Sequence, residues 1–301
     1  MATVRNARSS RPVWMEKPSF WMQALKVAVL AGITLVMLYP FVYVISVSLS
    51  NSTIVRRGGL ILWPRGITLD AYRTIFSTDV VPRSLLVSIG ITLVGTALSV
   101  VMTVTLAYGL TRTREVPGSR FVLYVALFTM LFGAGIIPNY LLIKALGMLD
   151  TYASLIIPGA ISAFNLVVIR NFFMNLPREL LDSARVDGAS EWRVLGSIVI
   201  PLSKAVIAVI ALFYGVGYWN SFFNALLYIN DPGKWPVQLV LNQYVVQGTP
   251  LAQVTNPNAV QLAPEVIKMA VLVVATVPIL AVYPFLQKYF TKGVLTGAIK
   301  Q

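Results

Sequence analysis

Six stretches of this chain carry no charged side chain: Val27 to Leu49, Ser84 to Leu110, Phe121 to Ile143, Tyr152 to Ile169, Ala205 to Asn230 and Met269 to Gln287. A helix that crosses a bilayer needs about 20 apolar residues, since each advances it by about 1.5 Å through a hydrocarbon core of about 30 Å. All six blocks meet or approach that length. Only 12% of the 301 residues are charged and 57% are hydrophobic, about half the charge of an ordinary soluble domain. The blocks lack the period-two alternation of barrel strands. The expected fold is therefore all-α, a polytopic membrane bundle of six transmembrane helices.

Histidine and cysteine are both absent. Zinc sites of the usual kind, disulfides and serine-histidine or cysteine-histidine catalysis cannot be built without them. No metal site and no catalytic residue is expected. The net charge of +13 would suggest nucleic acid in a soluble protein, but in a membrane chain it first reports topology, and no nucleic-acid partner is expected.

With six spans both termini share one side. That side carries sixteen of the 24 basic residues: five before the first span, three around Arg112, Arg114 and Arg120, five from Arg170 to Lys204, and three after the last span. The positive-inside rule then places both termini in the cytoplasm. The organisation expected is a cytoplasmic segment 1–26, a six-span domain 27–287 that holds the cytoplasmic loop 175–201, and a cytoplasmic tail 288–301. An outer loop, 231–268, lies inside the six-span domain. One outer connection departs from the rule, with Arg56, Arg57, Arg65, Arg73 and Arg83 between the first two spans. It is either a solvated loop or a surface that attracts anions.

All eleven acidic residues lie outside the six blocks, so a proton-coupled carrier has no titratable group at membrane depth. Sodium bound by backbone carbonyls at a broken helix keeps an ion-coupled secondary carrier of small polar solutes as the alternative. The chain has no Walker A sequence, and its segments between spans are too short for an ATPase domain. Any ATP must be hydrolysed by another chain.

Four of the acids, Glu179, Asp182, Asp187 and Glu191, sit in the cytoplasmic loop 175–201. Asn175 is placed to cap a helix whose first turn takes Pro177, Gly188 to make a left-handed turn, and Ser190 with Glu191 to open a second helix that Pro201 kinks or stops. The expected unit is a short helix-turn-helix at the membrane surface; an interfacial amphipathic connector would show the same pattern.

In that loop, Asp182-Ser183-Ala184-x-x-Asp187-Gly188-Ala189 followed by Ile198-x-x-Pro201 resembles the "EAA" loop of permease subunits of ATP-binding-cassette (ABC) importers. The resemblance extends through Pro138-Asn139-Tyr140, Pro158-Gly159-Ala160, Trp219-Asn220, Tyr228 to Asp231, and Lys292-Gly293 with Gly297 to Lys300. Together these are similar to the carbohydrate-uptake group related to the maltose permeases, above all its polysaccharide-fragment branch. Asp182 stands where that group usually has Glu, Ser183 where it has Ala, and Lys204-Ala205 where a further Pro often occurs.

The resemblance implies that 27–287 is the permease domain of a type I importer in a bacterial inner membrane, working with a second homologous permease, two ATPase subunits that hold ATP and magnesium, and an extracellular or periplasmic sugar-binding protein. It implies no cofactor on this chain. It assigns ATPase coupling to Asp182, Ser183, Ala184, Asp187, Gly188, Ala189, Trp192 and Pro201. It also implies that the outer loop around Gly248 to Asn258 reaches into the docked binding protein.

Sugars need amides for their hydroxyls and aromatic faces for their rings, which makes Asn139, Asn165, Tyr218, Trp219, Asn220 and Asn224 the candidate substrate path. In an unbroken fifth span Gly217, Asn220 and Asn224 would share one face. The same residue types also serve as helix glue and as interfacial anchors. The expected activity is import of oligosaccharides, including anionic fragments such as alginate or pectin oligomers.

Overall fold

The computed structural model of the chain describes residues 19–112, 115–245 and 262–298, with side chains in the last helix only as far as 282 and at 284. The outer-loop stretch proposed to reach a binding protein, most of segment 1–26 and Arg114 lie outside the described residues. Among the described residues there is no strand. The helices are α1 (Phe20–Ser48), α2 (Ser52–Arg56), α3 (Asp70–Phe76), α4 (Val80–Leu110), α5 (Ser119–Leu131), α6 (Ile136–Ala145), α7 (Ala153–Ile156) and α8 (Ala163–Met174). They continue as α9 (Arg178–Val186), α10 (Glu191–Val194), α11 (Ile200–Leu202), α12 (Lys204–Trp219), α13 (Phe223–Tyr228), α14 (Val237–Val245) and α15 (Pro264–Ala298).

The first, second and sixth blocks fold as the continuous apolar helices α1, α4 and α15. The other three are each interrupted. The third block breaks between α5 and α6, where Gly135 takes φ +85°. The fourth breaks between α7 and α8, where Pro158 can give no amide to a helical ladder. The fifth breaks between α12 and α13, at 220–222. Hydropathy measures length and polarity, and it cannot register a break whose freed backbone groups are satisfied by neighbours.

α4 and α12 pack extensively on each other, and α8 lies against both. Their inner faces supply Ile91, Val104, Leu166, Ile169 and Ile210 to one buried core. Gly95 on α4 makes the α4–α12 approach possible, because a Cβ there would stand 2.9 Å from the Tyr218 ring. α1 packs against α15. Its N-terminal two-thirds remains exposed and apolar, as a helix facing lipid or another subunit requires.

Two segments expected as loops are folded. The arginine-rich connection 50–83 forms a cap on α15 through α2 and α3, burying Ile61, Ala71 and Ile75 beside Val266 and Val271. Asn51 starts α2 by accepting the Thr53 amide at 2.9 Å. In the outer loop 231–268, α14 buries Val237, Leu239, Val240 and Tyr244. α15 runs on to Ala298, so residues 288–298 of the expected tail extend that helix.

Candidate functional site

The loop 175–201 is a two-helix elbow. α9 ends at Val186, Gly188 turns the chain at φ +80°, and α10 opens after Ser190. Nothing lies within 4 Å of where a Gly188 Cβ would be, so this turn needs glycine for its backbone conformation alone. The capping expected of Asn175 is corrected. Asn175 closes α8, donating its side-chain amide to the Asn171 carbonyl at 2.9 Å, and Pro177 precedes α9 without a side-chain cap. α10 continues through one π-helical turn, Leu195–Val199, to α11, and the chain then bends by 85° into α12. Pro201 lies in α11, inside this widened helix and just before the bend. A missing amide hydrogen next to a π turn favours such a bend.

Asp182, Ser183, Asp187, Gly188, Trp192 and Pro201 are exposed, while Ala184 and Ala189 are half-buried. Val186 and Trp192 are 88% and 74% exposed. Large apolar side chains at that exposure, on a short amphipathic elbow, make an unoccupied contact face.

The elbow is tied to the bundle by Glu191, a residue whose role sequence reasoning missed. Tyr108, on the last turn of α4, donates its hydroxyl to Glu191 Oε2 at 2.6 Å, and Arg112 pairs with Oε1. Arg185 of α9 stands 3.4 Å from the same Oε1 and holds Asp182 at 2.7 Å. Arg112 also donates to the Tyr108 hydroxyl at 2.9 Å and lies 5.2 Å from its ring centre. Burial raises the Glu191 carboxyl, but the hydrogen bonds from Arg112 and Tyr108 and the charges of Arg112 and Arg185 outweigh it and hold the group below its ordinary value.

The break between α7 and α8 is closed by two tyrosines of α12. Tyr218 donates its hydroxyl to the Ile156 carbonyl at 3.1 Å and meets Ser99 Oγ at 2.8 Å. Tyr214 accepts the Ser162 amide at 2.9 Å and meets Thr103 Oγ1 at 2.7 Å. Each tyrosine thus satisfies one backbone group freed by the break, one on either side of it. Ser99 and Thr103 are four apart on α4, as Tyr214 and Tyr218 are on α12, and the pairs meet in reversed order. That i, i+4 match is the signal the sequence carried.

The substrate-path candidates are not gathered at one place. Tyr218 serves the clamp, and Trp219 is packed with Val237 and Ala275. Asn165 is buried in the first turn of α8, its backbone amide facing Ser162 Oγ at 3.5 Å. Asn139, Asn220 and Asn224 are exposed. The shared helical face expected for Gly217, Asn220 and Asn224 does not form, since the helix ends at Trp219 and restarts at Phe223. Asn220 instead turns its side-chain amide to the Val216 carbonyl at 2.9 Å. α6 and α13 are held together by Tyr140 stacked on Tyr228, with ring centres 6.3 Å apart. Asn139 and Asn224 thus belong to two adjoining half-helices.

On the side opposite the elbow, Asp150 brackets the end of α13. Its carboxylate accepts the amides of Asn230 and Asp231 at 3.1 and 3.0 Å, and Lys234 reaches it at 3.0 Å. The Asp231 amide foremost, then the Lys234 hydrogen bond, hold this carboxyl below its ordinary value. Asp150 itself adopts φ +60°.

A membrane bundle with interrupted helices at its centre and an exposed amphipathic elbow on one side has the architecture of a transport permease. The chain belongs to the family of binding-protein-dependent transport system inner membrane components, which matches residues 116–296. Protein LplC of Bacillus subtilis is 51% identical over 274 residues, spanning 90% of this chain and 92% of that protein. The polygalacturonan/rhamnogalacturonan transport system permease protein YtcP of the same organism is 46% identical over 268 residues, spanning 88% and 93%. Among solved structures, a chain of a bacterial ABC transporter involved in the import of the acidic polysaccharide alginate superposes with a TM-score of 0.84 at 32% identity. The match covers 92% of this chain and 100% of that one.

Proposed function

We propose that this permease imports anionic oligosaccharides, fragments of acidic polysaccharides, driven by ATP that partner ATPase subunits bind with magnesium and hydrolyse. The observation that carries the substrate class is the outer cap. Arg56, Arg57, Arg65, Arg73 and Arg83 are all exposed on or beside the folded α2–α3 unit, on the face that the positive-inside rule would deplete of them. A concentrated positive surface raises the local concentration of anions and speeds their encounter. The names of two similar proteins, one a polygalacturonan/rhamnogalacturonan permease and one an importer of an acidic polysaccharide, support the same class. The ion-coupled carrier has no comparable support.

In this reading six passes, three of them interrupted, put both termini and the elbow in the cytoplasm. The elbow docks on an ATPase subunit through Val186 and Trp192. The exposed face of α1 meets lipid and a second, homologous permease, and a sugar-binding protein delivers the substrate to the outer side. The chain itself performs no bond-making chemistry. Asn139 and Asn224, on adjoining half-helices, are the polar groups best placed to meet sugar hydroxyls.

The test is uptake of oligogalacturonate into vesicles holding the complete importer, with Arg56, Arg57 and Arg65 replaced by Gln. Screening lengths are about 30 Å at 0.01 M salt and about 10 Å at 0.1 M. The substitutions should therefore slow uptake more at low salt than at high salt. An equal effect at both salts would remove the anionic assignment.

A further inference from the structure

We infer that Glu191 is a positioning residue which makes the elbow and the long helix α4 move as one body, so that displacement of the elbow reaches the α7/α8 break. The inference rests on the reading that the elbow docks on the ATPase. It goes beyond it by naming the joint through which docking acts on the bundle.

Two hydrogen-bond donors and one further positive charge, from two separate elements, converge on this single carboxylate. Tyr108 and Arg112 come from the end of α4, and Arg185 from α9. The Arg112 side chain is 15% exposed, and its position is fixed by the Tyr108 hydroxyl as well as by Glu191. A planar guanidinium held at several points transmits direction, where a lone lysine would swivel. Glu191 itself is the first residue of α10, directly across the Gly188 turn from α9, so it sits where the two helices of the elbow meet.

The far side of the joint is equally well defined. α4 runs without interruption from Val80 to Leu110. Five and nine residues before Tyr108 on the same helix lie Thr103 and Ser99, the residues that meet Tyr214 and Tyr218. Those tyrosines hold the two backbone ends of the α7/α8 break. Arg170 near the end of α8 donates to the Leu110 carbonyl at 2.9 Å, so the half-helix beyond the break is bound to the same terminus of α4. A chain of hydrogen bonds and one ion pair, Arg185 to Glu191, therefore leads from Asp182 through Arg185, Glu191, Arg112 and Tyr108 into the helix that carries the clamp. Buried apolar contacts such as Val194 also anchor the elbow, and the carboxylate joint adds directional hydrogen bonds to them.

The experiment uses the complete importer in vesicles, with Glu191→Ala, Arg112→Ala, the double substitution, and Glu191→Gln, which keeps the shape and one acceptor oxygen. Bound ATPase, hydrolysis stimulated by the binding protein, and substrate taken up per ATP are measured for each. In both single alanine variants uptake per ATP should fall about tenfold, the change that about 1.4 kcal/mol of lost coupling produces, while bound ATPase stays near the native amount. The double variant should be no worse than either single one, because the two residues form one link. Glu191→Gln should recover part of the uptake per ATP. Unchanged uptake per ATP in both single variants, or losses that multiply in the double one, would overturn the proposal. If Glu191→Ala fails to assemble, the same comparison is read from Arg112→Ala and Glu191→Gln. Full retention of ATPase by a Val186→Asp, Trp192→Ala variant would instead overturn the docking reading beneath it.

Discussion

Replacing Tyr214 by Phe should loosen the break between α7 and α8 without disturbing the shape of the core. The ring stays and only the hydroxyl goes, leaving the Ser162 amide and the Thr103 hydroxyl without the partner they now have at 2.9 and 2.7 Å. These two groups differ in what they can do next. Thr103 lies inside α4 and can turn its hydroxyl to the carbonyl one turn back, as threonines in helices commonly do. The Ser162 amide precedes α8 and has no helical acceptor. The cost is therefore at most that of one orphaned buried donor, about 1–3 kcal/mol, because Ser162 is only part-buried. Tyr218→Phe is expected to cost less, because the Ile156 carbonyl is an acceptor and acceptors tolerate incomplete pairing better. Hydrogen exchange of the purified complex in nanodiscs would read this directly. Amides over 157–165 should exchange about 5- to 150-fold faster in Tyr214→Phe, the population change that 1–3 kcal/mol produces. Tyr218→Phe should fall between that variant and the native protein. Native exchange rates at these amides in Tyr214→Phe would refute the assignment of the tyrosines as the clamp.

Gly95→Ala should be more damaging than either tyrosine change, since the new methyl would stand 2.9 Å from three atoms of the Tyr218 ring; detergent thermal unfolding would show it, and native stability would mean the α4–α12 approach is looser than described. At the elbow, Gly188→Val should cost about 1–2 kcal/mol for its left-handed backbone and reduce uptake severely. Asp182→Asn, which alters an exposed pair with Arg185, should act mildly in the same vesicle assay. The Asp150 bracket should weaken in acid. Its folded carboxyl lies below its unfolded value of about 3.9, so its contribution is fully present above about pH 4 and is lost as pH falls through the lower folded value. Protection of the Asn230 and Asp231 amides, measured relative to their intrinsic exchange rates at each pH, should fall across that range in the native protein, while Asp150→Asn should show no such fall.

The sequence by itself determined that this chain is a membrane helix bundle, because charge-free length is a property of composition along the chain and needs no partner to interpret. It determined the elbow as well. A glycine flanked by short amphipathic runs is local information, and Gly188 takes its positive φ with nothing packed against it. The breaks were a different matter. Gly135, Pro158 and Asn220 are residues that a continuous transmembrane helix could have accommodated, and only the position of neighbours makes an interruption affordable. At the α7/α8 break those neighbours are Tyr214 and Tyr218, which come from more than fifty residues away and whose hydroxyls have no meaning until α4 and α12 are antiparallel. The same tertiary fact gave Tyr218 its place in the clamp and put a break between Asn220 and Asn224. It folded the arginine-rich connection into a cap on α15, which periodicity over so short a segment could not foretell. It also brought Glu191 to Arg112 across 79 residues of chain, a meeting that depends on where α4 ends relative to the elbow. Local geometry is encoded locally, whereas satisfaction of a polar group in a bundle is a property of the whole packing, and only the tertiary structure decided it.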